Sequence, residues 1–343
     1  MNGDFKENYF CAANSGRGFF SLYPQMIARA ERVCIIKGGP GCGKSRFLRR
    51  VAVEAEACGK HVTCYLCSSD PSSLDAVFID ERLLLLDGTS PHAVEASLPG
   101  ARDDIVDLGA FWDSAYLAKQ RNTVESLGKR KSSAYERGYD CLNAAASIGL
   151  AADALVAQSV LADKLNAAAE RAVRSLPTGD PFSERSVILG SFGMRGEVRL
   201  DSFFKSADEY VSVTDHGGIA HLFMGALYKC AKRRGLSVSV SLDPLYPDRI
   251  DAIRFDAARR VYEIGLRSEK RINMKRFIDG ATIPSVRREL RELTELKRGA
   301  VSGALRALSS AAEAHFKLEK IYGEAMDFAA KERFTDSFIG KIF

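Results

Sequence analysis

Apolar positions along this chain change their period several times, and each change predicts an element. Arg32-Val33-Cys34-Ile35-Ile36-Lys37 is a short β-branched run that reads as a buried parallel strand. Phe47, Leu48, Val51, Ala52 and Ala55 then recur at helical spacing, and Gly59 ends that helix. His61-Val62-Thr63-Cys64-Tyr65-Leu66-Cys67 predicts the next strand, and the apolar runs at 74–79 and 83–86 predict two more, each followed by an acid. Upstream, Gly16-Arg17-Gly18-Phe19-Phe20 reads as a turn before an amphipathic segment through Leu22, Met26 and Ile27. Residues 114–175 are alanine-rich and charged, with apolar points at Leu117, Val124, Leu127, Leu142, Leu155, Leu161 and Leu165. They predict a helical hairpin, broken near Gly149 and packed on the domain before it. Beyond Pro284, the three-four rhythm of Leu290, Leu293, Ala300, Ala304, Leu308, Ala311, His315, Leu318, Tyr322 and Ala325 predicts a helix seam. That seam has two candidate partners, the first hairpin or another subunit.

A faded internal repeat underlies this pattern. Arg17-Gly18, Leu22 and Val33 recur as Arg195-Gly196, Leu200 and Val211, all 178 residues on. Pro71-Ser72-Ser73-Leu74-Asp75-Ala76-Val77 recurs as Pro247-Asp248-Arg249-Ile250-Asp251-Ala252-Ile253 at a slightly shorter spacing. The turn-rich stretch Ser175-Leu176-Pro177-Thr178-Gly179-Asp180-Pro181 is the clearest boundary. Two domains follow: 1–176 with a helical insert at 114–175, and 182–343 with a C-terminal helical segment at 284–335.

One stretch prescribes a chemistry. Gly38-Gly39-Pro40-Gly41-Cys42-Gly43-Lys44-Ser45 fits G-x-x-x-x-G-K-[ST], the phosphate-binding loop of nucleoside triphosphatases. Its glycines let backbone N–H groups curl around phosphates, Lys44 brings a cation to the β and γ oxygens, and Ser45 offers a hydroxyl to Mg²⁺. The helix that begins at Ser45 aims its positive dipole end at the same anion, and residues 38–45 with Arg46 are the candidate nucleotide-binding residues. By average residue frequencies such a match arises by chance on the order of once in a hundred chains of this length, and strand, loop and helix follow in the required order. The fold class expected is therefore α/β: a P-loop NTPase parallel sheet with flanking helices, in two tandem copies, each followed by a long helical hairpin.

The second copy is degenerate. Its loop region, Asp215-His216-Gly217-Gly218-Ile219-Ala220-His221-Leu222, has neither lysine nor hydroxyl where the pattern needs them. This helps to choose the Mg²⁺-site acid. Asp87 faces Ile264 in the second copy, whereas Asp80 faces Asp256; the acid lost together with the lysine is the better candidate, so Asp87 is preferred over Asp80 and Glu81. His92, in the same stretch as Asp87, is a candidate to orient a water or contact the γ-phosphate, or else a loop histidine with structural hydrogen bonds. Phe19 or Phe20 is a candidate for base stacking, with core packing the commoner fate. Asp103, Asp104 and Asp113 read as capping or surface acids, His315 as a core or boundary histidine, and Arg287, Arg288, Arg291, Lys297 and Arg298 as a solvated helix face.

Composition adds bounds. The chain has 343 residues, 46% hydrophobic and 27% charged, with a net charge of +5; these are ordinary globular values that leave nucleic acid unindicated. Met1-Asn2-Gly3-Asp4-Phe5-Lys6 has no apolar core of a secretory signal, and no run reaches the ~20 apolar residues of a membrane span. A cytoplasmic address is expected, which suits eight cysteines scattered through apolar segments. Cys64 and Cys67 form a lone C-x-x-C in a strand that sends them to opposite faces, a weak metal or redox signal. Cys42, beside the loop's cations, is expected to ionise readily, so that oxidation there would block nucleotide binding.

Taken with Cys67-Ser68-Ser69-Asp70, Leu86-Asp87-Gly88-Thr89-Ser90-Pro91-His92 and Pro99-Gly100-Ala101, the loop makes the chain resemble, nearly end to end, a bacterial family of tandem P-loop NTPase-like proteins described as ATPases or nucleotide-kinase-like proteins. Members commonly carry an intact loop in both halves, and Ala220-His221-Leu222 departs from that. The resemblance implies fold and nucleotide binding without a physiological substrate. The leading expectation is Mg-dependent ATP hydrolysis in the first half, with Lys44 and Asp87 as catalytic and Ser45 and Asp87 as metal residues. ATP is favoured over GTP because the Asn/Thr-Lys-x-Asp guanine signature is absent. A small-molecule kinase, with Asp70 or Asp75 positioning the acceptor, and a nucleotide-gated assembly protein that binds a partner or a second copy through its helices are the alternatives. Arg17, Arg102 and the arginines of the second half are candidates to assist in trans.

Overall fold

The computed structural model describes residues 5, 7–178, 182–281 and 283–343. Gly179, Asp180 and Pro181 of the expected boundary lie outside these residues. The chain forms two similar sheet–helix halves with the same order of elements. In the first, β1 (Glu7–Phe10), a small hairpin of β2 (Ala12–Ser15) and β3 (Gly18–Ser21), and α1 (Tyr23–Arg29) lead to β4 (Arg32–Lys37) and α2 (Lys44–Ala57). β5 (Val62–Leu66), β6 (Leu74–Ile79), β7 (Leu83–Asp87) and β8 (Asp103–Asp107) complete a six-stranded sheet of order β1-β5-β6-β7-β4-β8.

This sheet is mixed, not parallel as the strand–loop–helix reading led one to expect. β4 runs parallel to both β7 and β8, but β6 is antiparallel to β5 and to β7. The cause is connection length: neither the β5–β6 link nor the β6–β7 turn can hold a crossover, so each strand must fold straight back. Asp80 and Glu81 form that second turn with φ of 51° and 55°, a left-handed conformation that is rare for such residues. β8 was hidden by its own acids, Asp103, Asp104 and Asp107, which break the apolar alternation of an edge strand.

The first half continues through α3 (Ser114–Lys119), α4 (Arg121–Ala157) and α5 (Ala162–Val173). The second half then repeats the plan: β9 (Glu184–Val187), β10 (Gly190–Gly193), β11 (Gly196–Arg199), α6 (Ser202–Ser206), β12 (Glu209–Thr214), α7 (Ala220–Arg234), β13 (Val238–Leu242), β14 (Ile250–Phe255), β15 (Arg260–Ile264) and β16 (Arg271–Asn273). Its sheet order, β16-β12-β15-β14-β13-β9, matches the first strand for strand. α8 (Ile283–Glu324) and α9 (Phe328–Ile342) close the chain.

The expected helical hairpin does not form: the long helix of each half pairs with that of the other, and the short helix after it crosses to the other half's sheet. α4 continues unbroken through Gly149, because the flat side of that glycine is needed: a Cβ there would lie 1.9 Å from the Tyr246 hydroxyl. α4 pairs antiparallel with α8, Leu127 meeting Ala314 and Leu318 at one end, Gly138 meeting Leu308 at the middle, and Gly149 meeting Lys297 at the other. α5 therefore does not pack on the first half, as expected from sequence; Leu165, Ala169 and Val173 join Phe223 and Leu227 of α7 in the second half's core. Reciprocally, α9 returns to the first half, where Phe334 and Phe338 pack on Phe47 of α2. Fully burying a phenylalanine contributes about 1.5–3 kcal/mol; Phe334 and Phe338 are partly buried and two such rings share the contact, whereas the half-exposed ion pairs of Arg50 with Glu332 and Asp336 beside them are each worth at most about 1 kcal/mol. Apolar contact therefore holds the swap.

Four main-chain bonds make it reciprocal: Asp113 N to Ala325 O and Asp327 N to Phe111 O at one corner, Asp279 N to Ser159 O and Leu161 N to Phe277 O at the other, all 2.8–2.9 Å. The small hairpins also cross, with Asn14 Nδ2 donating to Phe192 O at 2.6 Å, and Tyr9, Phe10, Val187, Ile188 and Phe203 forming one core between the sheets. The helix seam is thus satisfied inside the chain. α4 passes a length-and-composition test for crossing a membrane, with a mean hydropathy of 1.3 over its most apolar window. Leu127, Leu142 and Val156 of that helix are buried in the fold.

Candidate phosphate-binding site

β4 delivers the 38–43 loop to the carboxyl edge of the first sheet. Ile36 lies beside Asp87 of β7, so loop and acid leave the sheet together. Gly38, Gly41 and Gly43 hold φ of 146°, 76° and 84°, values open to glycine and strained for other residues. Two of the glycines are also needed for room. A Cβ on Gly38 would lie 2.6 Å from Cys42 Sγ, and one on Gly41 only 2.2 Å from Glu319 O of α8. Gly43 starts α2 without a side-chain cap, so its first-turn amides receive no acceptor from a capping side chain. Pro40 is half-buried at the tip, and Arg46 points outward, 3.4 Å from Glu332 Oε1.

Lys44 curls back into this cradle. Its Nζ donates to Gly38 O at 2.8 Å and Gly39 O at 2.9 Å, and lies 3.5 Å from Asp87 Oδ2. Asp87 is fixed in turn, accepting from Thr89 N and Thr89 Oγ1 at 2.9 and 2.5 Å. Burial raises its carboxyl above the usual range, Lys44 opposing and Asp75, its cross-strand neighbour, adding to the rise. Ser45 Oγ, at the start of α2, accepts from Leu74 N at 2.9 Å. Asp80 and Glu81 sit in the turn at the opposite end of β7, and Asp80 is held by His61 N and Lys60. They cannot share a ligand with Lys44, which leaves Asp87 as the acid at the loop.

Other candidates are engaged elsewhere. His92 is buried with Nε2 3.0 Å from Asp75 Oδ2 and its ring between Phe19 and Tyr23; its Nδ1 has no partner among the described residues. Phe19 and His92 border a largely apolar 420 Å³ cavity with Ile27 and Val94, and Phe20 packs on the shared core, so neither ring faces the loop. Asp70 is bound by Arg195 of the second half at 2.6 Å, and Arg17 reaches Asp248 at 2.8 Å. Arg102 folds onto Asp103, which also accepts from Ser97 N and Leu98 N; Asp104 pairs with Arg32, and Asp113 caps α3. Cys42 corrects an expectation: it is fully buried, and burial raises its thiol despite the opposing pull of Lys44. Burial likewise raises Cys64 and Cys67, and among the described residues no three His, Cys, Asp or Glu side chains gather as a metal site.

The crossed helices supply what the motif could not reveal. The α8–α9 corner covers the loop's outer face, with Tyr322 over Gly39 and Glu319 over Gly41, and Trp112 of the first half lies beside Tyr322. Lys331 of α9 is completely buried, with Nζ 3.4 Å from the place of a Gly43 Cβ. Lys131 of α4 lies near Lys44 and Glu319; burial lowers its ammonium, and Cys67, the next influence, opposes. The legible signal was a lysine in register with the apolar stripe Phe328, Phe334 and Phe338.

The second loop is built from other contacts. Asp215 turns its carboxylate onto the start of α7, accepting from Gly218 N at 3.1 Å and Ala220 N at 2.8 Å. Amides at the start of this helix thus have an acceptor within the chain. α4 covers this loop as α8 covers the first: a Cβ on Gly217 would meet Val156 at 2.9 Å, and one on Gly218 would meet Asp153 Oδ1 at 1.9 Å. Asp153 is bound by Arg249 at 2.6 Å, and Ile264 stands where β7 has Asp87. Comparison with family models, with curated proteins and with solved structures finds no match to this chain.

Proposed function

We propose that the first half binds Mg-ATP on residues 38–45 and hydrolyses it, the two halves being copies of one P-loop NTPase unit of which the second no longer takes nucleotide. One observation carries this reading: three left-handed glycines wrap a lysine whose ammonium rests on two loop carbonyls, 3.5 Å from a buried carboxylate on the adjoining parallel strand. The carbonyls are exchangeable partners. A phosphate chain entering the curl offers Lys44 charged acceptors, and charge-assisted bonds are roughly twice as strong as neutral ones. Amides of the loop and the uncapped start of α2 complete the anion site.

Ser45 and Asp87 are hard oxygen donors that fit Mg²⁺, which would supply charge neutralisation at the phosphates. Thr89 holds Asp87 in one orientation. Lys44 then stabilises charge developing on the transferred phosphoryl, water being the acceptor. Asp70 and Asp75, the residues a kinase would use to place its acceptor, already hold Arg195 and His92; this favours hydrolysis.

ATP binding and phosphate release by wild type and Lys44→Ala, with and without Mg²⁺, test the reading. Loss of both in the variant supports it. No binding by wild type overturns it, and acceptor-dependent phosphate transfer would make the protein a kinase. A second reading, a nucleotide-gated device without turnover, is favoured by the contact of Glu319 with Gly41, which lets the loop's shape push on the C-terminal helices. Tight binding with no phosphate release would select it.

A further inference from the structure

We infer that Lys331 is a second phosphate-binding cation: α9, carried over from the other half, clamps the bound anion against Gly43. The inference rests on the nucleotide reading of the 38–45 loop and adds to it a residue outside the motif.

The first ground is burial without adequate pairing. Lys331 is 0% exposed, and its ammonium has one acceptor among the described residues, Glu332 Oε1 at 3.2 Å. Neighbouring residues on a helix do not face one another, and Glu332 is already taken by Arg50 at 2.7 Å and approached by Arg46 at 3.4 Å. Three cations thus share Glu332 and Asp336. An ammonium buried under such an excess of like charge is unfavourable unless an anion joins it.

Place is the second ground. Lys331 belongs to the first turn of α9 and lies beside the amino end of α2. Both ends carry positive dipole charge, which repels a cation; Asp327 caps the start of α9 through Ala330 N, so the end without a side-chain cap is that of α2. A phosphate oxygen there satisfies Lys331 and the amides and dipole of α2 together. Phe328, half-exposed and 3.8 Å from the place of a Gly43 Cβ, flanks the same spot.

The test measures Mg-ATP binding to the full chain by calorimetry for wild type, Lys331→Gln, Lys331→Arg and the exposed control Lys320→Gln, with urea unfolding of each nucleotide-free protein. Lys331→Gln is expected to weaken binding about 10–100-fold, the worth of a charge-assisted bond, with nucleotide-free stability equal to or above wild type. Lys331→Arg should keep most of the affinity, and Lys320→Gln all of it. Wild-type affinity in Lys331→Gln overturns the clamp, as does a loss of affinity matched by a loss of folded protein. Hydrogen exchange on wild type gives a readout free of variants: Mg-ATP should slow the amides of 328–339, and unchanged exchange overturns the clamp. If wild type binds no nucleotide, the reading of the loop fails as well. If Lys44→Ala abolishes binding while Lys331→Gln does not weaken it, the clamp alone fails.

Discussion

The 38–43 and 215–219 loops occupy the same place in two sheets of identical strand order, and one leads into a helix without a side-chain cap while the other turns its own carboxylate onto the helix start. In the first, a lysine withdraws onto carbonyls and leaves amides uncapped. In the second, Asp215 bonds to two of those amides directly. A strand–loop–helix scaffold therefore does not make a nucleotide site. Which charge the loop itself supplies decides whether the helix end still needs a partner. The acids at matched positions diverge in the same way: Asp75 meets His92, whereas Asp251 meets Arg199, burial still pushing Asp251 up to about 6.

Four measurements would break or sharpen this contrast. The largest effect is expected at the lysine: Lys44→Ala should lower phosphate release by about 10²–10³, the scale set by removing a preorganised charge, while His221→Ala at the repeat-matched position leaves it unchanged. Equal effects would end the asymmetry. Next come the glycines under the exchanged helices. Gly41→Ala drives a Cβ into the Glu319 backbone at positive φ, and should cost about 2–4 kcal/mol in urea unfolding. Gly218→Ala meets only a carboxylate side chain that can turn aside, and should cost about 1–2 kcal/mol. Third, Asp215→Ala removes an internal cap and should destabilise by about 1–2 kcal/mol with no change in ATP affinity; a gain in phosphate affinity there would show the second loop to be merely plugged. Smallest is a pH effect of opposite sign in the two states. Asp87 has a raised carboxyl in the folded protein, so its contribution to nucleotide-free stability is present below the ordinary carboxylate value of about 4 and lost as pH rises through the folded value. Mg-ATP binding needs the ionised form, so its stabilisation is lost as pH falls through that same value. Urea midpoints against pH, with and without Mg-ATP, check both slopes.

Much of this was legible in residue order. The loop with its strand and helix, the nearness of Asp87 to Lys44 and the likeness of the two halves could be read because each depends on neighbours in the chain: glycines for a curl, a β-branched run, matched spacings between the halves. Three features could not. β6 runs antiparallel because of link length, which says nothing about apolar period. β8 hides behind Asp103, Asp104 and Asp107. The exchange of α5 and α9 depends on which core their apolar stripes meet, and Leu165 or Phe334 would look the same packed on either sheet. The apolar register of Lys331 marks it as inward-facing, but which site it and Lys131 reach followed from that exchange.

The crossed helices also set a timetable for synthesis. Residues 38–45 leave the ribosome long before 328–342 exist, and at about 5–20 residues per second the gap is roughly 15–60 s. Throughout that interval the loop and the apolar face of Phe47 stand uncovered, exposed to chaperones and to any passing anion. A ligand caught by the nascent loop would meet its cover only when the far end of the chain folds home.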